Sequence, residues 1–103
     1  MPVQQIRQLE EIPAKGLVLL DLYASWCGPC RKIAPVIEEL SDDYGGRVTF
    51  LKADVDLAPS LAAAFKVNAM PTFVFIRDGA QCGMIIGANV TQIQSRLKML
   101  TAS

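Results

Sequence analysis

Cys27 and Cys30, which are separated by Gly28 and Pro29, are the side chains best suited to chemistry in this sequence. They follow a nearly continuous apolar run (17–24) that predicts a buried strand, and they precede residues with helical periodicity. Thiols at this spacing can close a small disulfide ring whose first sulfur lies at the helix N-terminus. Backbone N–H groups and the helix dipole favour a thiolate there. We therefore predict that Cys27 attacks and that Cys30, the less exposed thiol, resolves.

Two other uses of the cysteine pair are a structural disulfide and half of a metal site. Tetrahedral zinc needs four ligands, whereas the sequence has no histidine and only one further thiol, Cys82. We therefore predict no metal. Cys82 alternates with Met84 and Ile86, which predicts a buried and inert thiol. An exposed Cys82 could instead form intermolecular disulfides.

The composition predicts a single domain spanning residues 1–103, with 51% hydrophobic and 19% charged residues. Ten basic and ten acidic residues cancel, which argues against binding to nucleic acid or a membrane surface, because both favour a net basic protein. Three cysteines are too few for a secreted disulfide scaffold. The first residues lack the apolar core of a signal peptide, so we expect a cytoplasmic protein.

Hydrophobic periodicity and turn residues predict an α/β fold with a central mixed sheet and helices on both faces. The predicted strands are 3–6, 17–24, 47–53, 72–77 and 81–86. The predicted helices are 7–15, 29–44, 58–66 and a last one that begins after Asn89. Asp78-Gly79-Ala80 predicts a hairpin between the last two strands, and Asn89 with Gln92 is typical of a helix cap.

Four polar or aromatic residues near the cysteines need an explanation. Asp21 interrupts an apolar strand, where a carboxylate without a partner is unfavourable unless its pKa rises, although an exposed strand end is an alternative. Trp26 could belong to the core, but beside a reactive sulfur it could also shield that sulfur and offer a flat contact surface. Arg31 and Lys32 either form a solvated face or favour the thiolate and steer acidic partners.

The sequence Trp26-Cys27-Gly28-Pro29-Cys30 after an apolar strand resembles the active site of the thioredoxin family. Met70-Pro71-Thr72 resembles the cis-proline loop of that family, and Gly87-Ala88 also matches it. The resemblance covers essentially the whole chain. It implies the thioredoxin fold.

The resemblance also implies roles for individual residues. Asp21 matches the buried aspartate that accepts the proton of the resolving thiol, and Lys52 matches its lysine partner, although a solvated lysine is the alternative. Pro71 would be cis and would hold the backbone of Met70 extended beside the disulfide, where a target chain could pair with it. Gly87 and Ala88 would leave room for that chain.

The activity implied by the resemblance is that of a protein-disulfide reductase, since Gly28-Pro29 between the cysteines is typical of the family's reductants. Such a protein serves electron transport and cell redox homeostasis and is recycled by NADPH through thioredoxin reductase. Its clients would include peroxiredoxins, ribonucleotide reductase and methionine sulfoxide reductases. We expect a monomer without a bound cofactor, because no Gly-rich dinucleotide loop is present. The alternatives are an oxidase or isomerase, and a binding module whose thiols only switch it.

Overall fold

The computed structural model describes residues 3–102. Met1, Pro2 and Ser103, which the single-domain prediction includes, lie outside the described residues. The strands are β1 (Gln4–Gln5), β2 (Leu17–Tyr23), β3 (Val48–Asp54), β4 (Thr72–Arg77) and β5 (Ala80–Ile86). The helices are α1 (Gly28–Asp43), α2 (Pro59–Ala64) and α3 (Val90–Thr101).

The strands form one sheet in the order β1-β3-β2-β4-β5. The strands β1, β3 and β2 run parallel to one another, whereas β4 and β5 join antiparallel. The predicted mixed sheet is therefore confirmed. The strand that precedes the cysteine pair, β2, lies at its centre and has neighbours on both sides, so the site extends from the most enclosed strand.

Side chains of β2 alternate between two separate hydrophobic clusters, one on each face of the sheet. Leu17 and Leu19 pack with residues of α1 and α3. Val18 and Leu20 pack with Leu61 of α2 on the opposite face. The predicted helices on both faces are confirmed, and the odd-numbered residues of β2 point towards α1.

The helix α1 continues through Pro35 and buries a stripe of residues at helical spacing, as the periodicity predicts. The buried side chains of this stripe are Cys30, Ile33, Ile37, Leu40 and Ser41. The stripe fixes the rotation of α1 about its axis. It thereby turns the side chain of Cys30 towards the sheet.

The predicted helix over 7–15 is wrong. Only a short 3-10 turn forms, at Leu9–Glu11. The backbone N–H groups of Arg7 and Gln8 donate to the Glu11 carboxylate at 2.8 and 3.0 Å. This local capping together with Pro13, which has no N–H to donate, ends the turn before a helix can grow.

The prediction that Cys82 is buried is also wrong, because its side chain is exposed. The edge strand β5 carries it, and the register passes from Gly83 to Gln81 opposite Phe75 and Ile76. Cys82 is the extra residue of this bulge, so simple alternation does not assign its face. In residues 3–102, none of the helices combines the length and apolar character needed to cross a membrane.

Candidate functional site

The cysteine pair lies where β2 leads into α1. Cys27 is the N-cap of α1, with extended backbone angles (φ −83°, ψ 116°), and its sulfur accepts a hydrogen bond from the N–H of Cys30 at 3.3 Å. The two residues form a disulfide with their Cα atoms 5.3 Å apart. The helix N-terminus therefore directs a backbone donor at the Cys27 sulfur, which favours a thiolate on that atom after reduction.

The expected difference in exposure between the two cysteines is not found. Cys27 is 6% exposed and Cys30 is 5% exposed. Both residues are covered by their neighbours, so they differ in position and not in exposure: Cys27 caps the helix, and Cys30 lies within its first turn. The separate roles of the two thiols stay a prediction. Gly28 is half-buried and Pro29 is exposed, and their effect on the redox poise stays a prediction.

The loop before β4 approaches the disulfide from the other side. The Met70–Pro71 peptide bond is cis, which confirms that prediction. The carbonyl oxygen of Met70 lies 3.8 Å from the Cys27 sulfur, and the carbonyl of Pro71 accepts the N–H of Gly87 at 2.8 Å. Ala88 next to Gly87 is exposed. The cis-proline loop therefore contacts the Cys27 sulfur through Met70 and the segment at Gly87 through Pro71.

Trp26 is not a core residue, since its side chain is 64% exposed. Its indole Nε1 donates to the Oδ2 atom of Asp56 at 3.0 Å. The Asp56 N–H in turn donates to Oδ1 of Asp54 at 2.9 Å. The sequence analysis missed Asp56, because nothing in its local pattern distinguishes it from a solvated loop acid. The bond holds the ring as a fixed flat surface beside the disulfide.

Asp21 is buried, with 6% exposure, so the alternative of an exposed strand end is wrong. Its Oδ1 atom is a buried side-chain oxygen for which residues 3–102 supply no hydrogen-bond partner. Burial raises the pKa of Asp21 from 3.8 to about 7, while the charge of Lys52 acts to lower it. The sequence left open which effect is larger, and burial is the larger one.

Lys52 lies directly opposite Asp21 in the register of β2 and β3. Its side chain is half-buried, so the alternative of a fully solvated lysine is wrong. Directly opposed residues of neighbouring strands point to the same face of the sheet. The ammonium group therefore belongs to the surroundings of the carboxyl group, as the resemblance implied.

Asp21 and Cys30 share a cleft of about 110 Å³, which we call the inner cleft. Tyr23, Ser25 and Arg31 also line it. Its volume suffices for water molecules, each of which occupies about 30 Å³ in the liquid. The inner cleft can therefore hold a water-mediated path from the thiol of Cys30 to the carboxyl group of Asp21.

Arg31 and Lys32 are both exposed, but they differ in their contacts. The guanidinium of Arg31 donates from Nη1 to the carbonyl oxygen of Ser25 at 2.8 Å.

The hydroxyl of Tyr23 accepts from Nε2 of Gln5 at 2.9 Å. The sequence analysis missed Ser25, Tyr23 and Gln5, because their contacts join segments that are distant in sequence or depend on a side-chain conformation.

The thioredoxin family model matches residues 4–99. An H-type thioredoxin of Chlamydomonas reinhardtii is 46% identical over 85 residues, which cover 82% of this chain and 72% of that protein. A peptide-N(4)-(N-acetyl-beta-glucosaminyl)asparagine amidase of Caenorhabditis elegans is 37% identical over 105 residues. The match covers 95% of this chain, which spans only 17% of that relative.

A solved structure gives the same result for the fold. It comes from work on the structural basis of the thiol resolving mechanism in yeast mitochondrial 1-Cys peroxiredoxin via glutathione/thioredoxin systems. The similarity has a TM-score of 0.87 and 36% sequence identity, and it covers 94% of each chain. Fold, cysteine pair and relatives agree, and the chain belongs to the thioredoxin family as a dithiol–disulfide oxidoreductase domain.

Proposed function

We propose that this domain works in the reducing direction, as a protein-disulfide reductase. The position of Cys27, whose sulfur caps α1 and faces the Met70 carbonyl at 3.8 Å, carries the thiol–disulfide exchange. The reducing direction is supported by Gly28 and Pro29 between the cysteines, which the family's reductants share. The helix N-terminus stabilises the attacking thiolate, and the backbone of the cis-proline loop offers the client chain a segment to pair with. Gly28 and Pro29 set the redox poise, and the exposed Trp26 ring, Gly87 and Ala88 border the client groove.

The reaction has two exchanges. First, the Cys27 thiolate attacks one sulfur of the client disulfide, which forms a mixed disulfide and releases one client thiolate. Second, the Cys30 thiol gives its proton to Asp21 through the inner cleft, and the new thiolate attacks the Cys27 sulfur. That attack closes the Cys27–Cys30 disulfide and expels the second client thiolate. The client gains two electrons and this protein loses two.

Asp21 suits the role of proton acceptor because a general base works best when its pKa lies near the working pH. Burial raises its pKa to about 7. Lys52 keeps that pKa from rising further. The unpartnered Oδ1 atom leaves an acceptor position available on the carboxyl group. The assignment is supported by the shared cleft with Cys30.

We further propose that the disulfide is recycled by NADPH through thioredoxin reductase and that peroxiredoxins are among the clients. The second part is supported by the likeness to a chain solved in work on a 1-Cys peroxiredoxin. The small number of cysteines supports action in a reducing compartment such as the cytoplasm. We also propose that the protein is a monomer. Analytical ultracentrifugation and cell fractionation would test these last two points.

The roles of the two thiols are tested by trapping. Cys30→Ser keeps the attacking sulfur and removes the resolving one, so it should capture clients as mixed disulfides from a lysate. Both variants carry Cys82→Ser, which removes the exposed third thiol, and in that background Cys27→Ser should capture no client that a thiol reductant releases. In a coupled assay with NADPH, thioredoxin reductase and a peroxiredoxin, both variants should lose turnover. Equal capture by both variants would refute the assignment of Cys27 as the attacking thiol and Cys30 as the resolving thiol. A separate measurement tests the direction of the reaction: a reduction potential above that of glutathione would refute the reducing direction.

A further inference from the structure

Two clefts meet at Asp21. The inner cleft leads from Asp21 to Cys30. The second, which we call the outer cleft, has a volume of about 320 Å³ and runs along α1 to Glu38. Arg31, Ala34 and Lys52 line both clefts. These three residues therefore lie between the path to the thiol and the outer cleft.

Arg31 has a fixed place in this wall. Its guanidinium donates to the carbonyl oxygen of Ser25 at 2.8 Å, and Ser25 itself lines the inner cleft. The side chain thus spans from the first turn of α1 to the segment before Cys27. A hydrogen bond from a charged donor is stronger than one between neutral groups. The next residue, Lys32, carries the same charge and lines neither cleft.

The charged and titratable groups around Asp21 come from three elements. Lys52 lies opposite it on β3, Tyr23 follows it on β2, and α1 contributes Arg31 and Glu38 along the two clefts. Burial is the main influence on the carboxyl group, and the charge that opposes burial is that of Lys52. The guanidinium of Arg31 is directed to Ser25, so Arg31 acts on this site as a side wall of the inner cleft, between the water held there and bulk solvent.

We propose that Arg31 is a positioning residue for the resolution step: its side chain, held on the Ser25 carbonyl, closes the inner cleft against bulk solvent. The Cys30 proton then passes to the Asp21 carboxylate along a sheltered path, which leaves a Cys30 thiolate to attack the Cys27 sulfur. The inference rests on the role given to Asp21 in the proposed function.

The test compares Arg31→Met with Lys32→Met. Both substitutions remove one positive charge from the same helical turn, but only the first opens the inner cleft. Reduced protein is mixed with 5,5′-dithiobis(2-nitrobenzoate) in a stopped-flow instrument. The first release of thionitrobenzoate reports attack by Cys27 and the second reports resolution by Cys30. A Cys82→Ser background removes the exposed third thiol, which would also react.

We expect the two variants to change the first phase equally, because that phase depends on charge. A positioned general base such as Asp21 contributes about 10²–10⁴-fold to a rate. Arg31→Met removes the shelter of that base but not the base itself, so the rate of the second phase at high pH should fall roughly tenfold. The midpoint of its pH profile should move to lower pH, since a hydrated carboxyl group has a lower pKa. Lys32→Met should leave the plateau and midpoint of the second phase unchanged.

A readout independent of turnover is the titration of the Asp21 carboxyl carbon by NMR in the oxidised protein. Arg31→Met should lower the Asp21 pKa and Lys32→Met should not. If Arg31 acted through its charge, its loss would raise that pKa, so a raised or unchanged pKa overturns the inference.

Asp21→Asn separates the two proposals. If Asp21→Asn resolves at the wild-type rate, the role of Asp21 is wrong. If it is slow while Arg31→Met matches Lys32→Met, only the role of Arg31 is wrong.

Discussion

Asp21 and Lys52 face each other across the central parallel strands β2 and β3, on the side of the sheet that α1 covers. The carboxyl group is buried and the lysine is half-buried. Desolvation disfavours the charged form of Asp21, whereas the ammonium group favours it. Burial prevails and raises the pKa of Asp21 to about 7. This pair therefore links the stability of the fold to the proton transfer that we propose for Cys30.

The first prediction concerns stability. The folded pKa of Asp21 lies above its ordinary value of 3.8, so the carboxyl group ionises first in the unfolded chain, and stability is lost as the pH rises from about 4 to about 7. The difference between these two pKa values corresponds to a loss of roughly 4 kcal/mol in the free energy of unfolding, at about 1.36 kcal/mol per pKa unit. In Asp21→Asn the buried amide has no hydrogen-bond partner, which costs about 1–3 kcal/mol and offsets part of the stability gained by removing the carboxyl group. Asp21→Asn should therefore be more stable than the wild type at pH 8.

Denaturant titrations of the oxidised protein at pH 4 and pH 8 measure this effect. The gain of Asp21→Asn over the wild type should appear at pH 8 and disappear at pH 4. Asp43→Asn, at an exposed position of α1, is the matched control and should change stability little at either pH. A gain of equal size at both pH values would show that ionisation of Asp21 is not its cause.

The second prediction concerns Lys52. Lys52→Met keeps most of the side-chain stem and removes the charge that lowers the Asp21 pKa. The Asp21 pKa should therefore rise above about 7, and at pH 7 a larger share of Asp21 should be protonated. Resolution should be slower at pH 7 and should recover at higher pH. NMR titration of the carboxyl carbon and the pH profile of the second stopped-flow phase measure both effects. An Asp21 pKa that falls in Lys52→Met contradicts the electrostatic argument.

The third prediction concerns Cys82, an exposed free thiol in the bulge of β5. With Cys27 and Cys30 held as a disulfide, 5,5′-dithiobis(2-nitrobenzoate) should label one thiol per chain without denaturant. Cys82→Ser should abolish the labelling and leave the reductase activity unchanged. Labelling that requires denaturant would mean that the thiol is buried in solution.

The fourth prediction concerns Gly83 and Arg96. The guanidinium of Arg96 lies 5.8 Å above the Phe75 ring, and a Cβ atom at Gly83 would overlap its Nη1 atom. Gly83→Ala lowers the conformational entropy of the unfolded chain, which stabilises the fold by about 0.4–1 kcal/mol. It also displaces the guanidinium of Arg96 from a cation–π contact worth about 0.5–1 kcal/mol. The two effects should nearly cancel in the wild type.

The same substitution should become stabilising in an Arg96→Met background, because no guanidinium is then displaced. Denaturant titrations of the four proteins give the coupling energy. Equal effects of Gly83→Ala in both backgrounds would show that Arg96 moves aside without loss. A strongly destabilising Gly83→Ala in both would point to the backbone of β5.

The sequence determined the elements whose signal is local. The predicted strand 72–77 matches β4 (Thr72–Arg77) in full, and the predicted 17–24 strand matches β2 (Leu17–Tyr23) to one residue. Apolar side chains repeat every two residues in a strand and about every 3.6 in a helix, so burial leaves a pattern that can be read without the fold. The cap of α3 is equally local, since Oδ1 of Asn89 accepts the N–H of Gln92 at 3.0 Å.

The cysteine motif was also readable, because its chemistry needs two thiols at a fixed spacing at the start of a helix. The cis peptide bond before Pro71 and the pairing of Asp21 with Lys52 came from resemblance to the thioredoxin family. Periodicity alone does not distinguish a cis from a trans bond, and it does not show which strand lies beside β2. These features were therefore found only because related proteins share them.

Only the tertiary structure decided the features that join distant segments or depend on atomic packing. The bulge that exposes Cys82 is a shift of register against β4, and the bond from Trp26 to Asp56 joins residues thirty positions apart. The balance at Asp21 depends on how much water the packed helix excludes. The hydrogen bond from Arg31 to Ser25 depends on how a long side chain folds back over the inner cleft. Such contacts leave no periodic trace in the sequence, because each is made once, between residues that only the fold brings together.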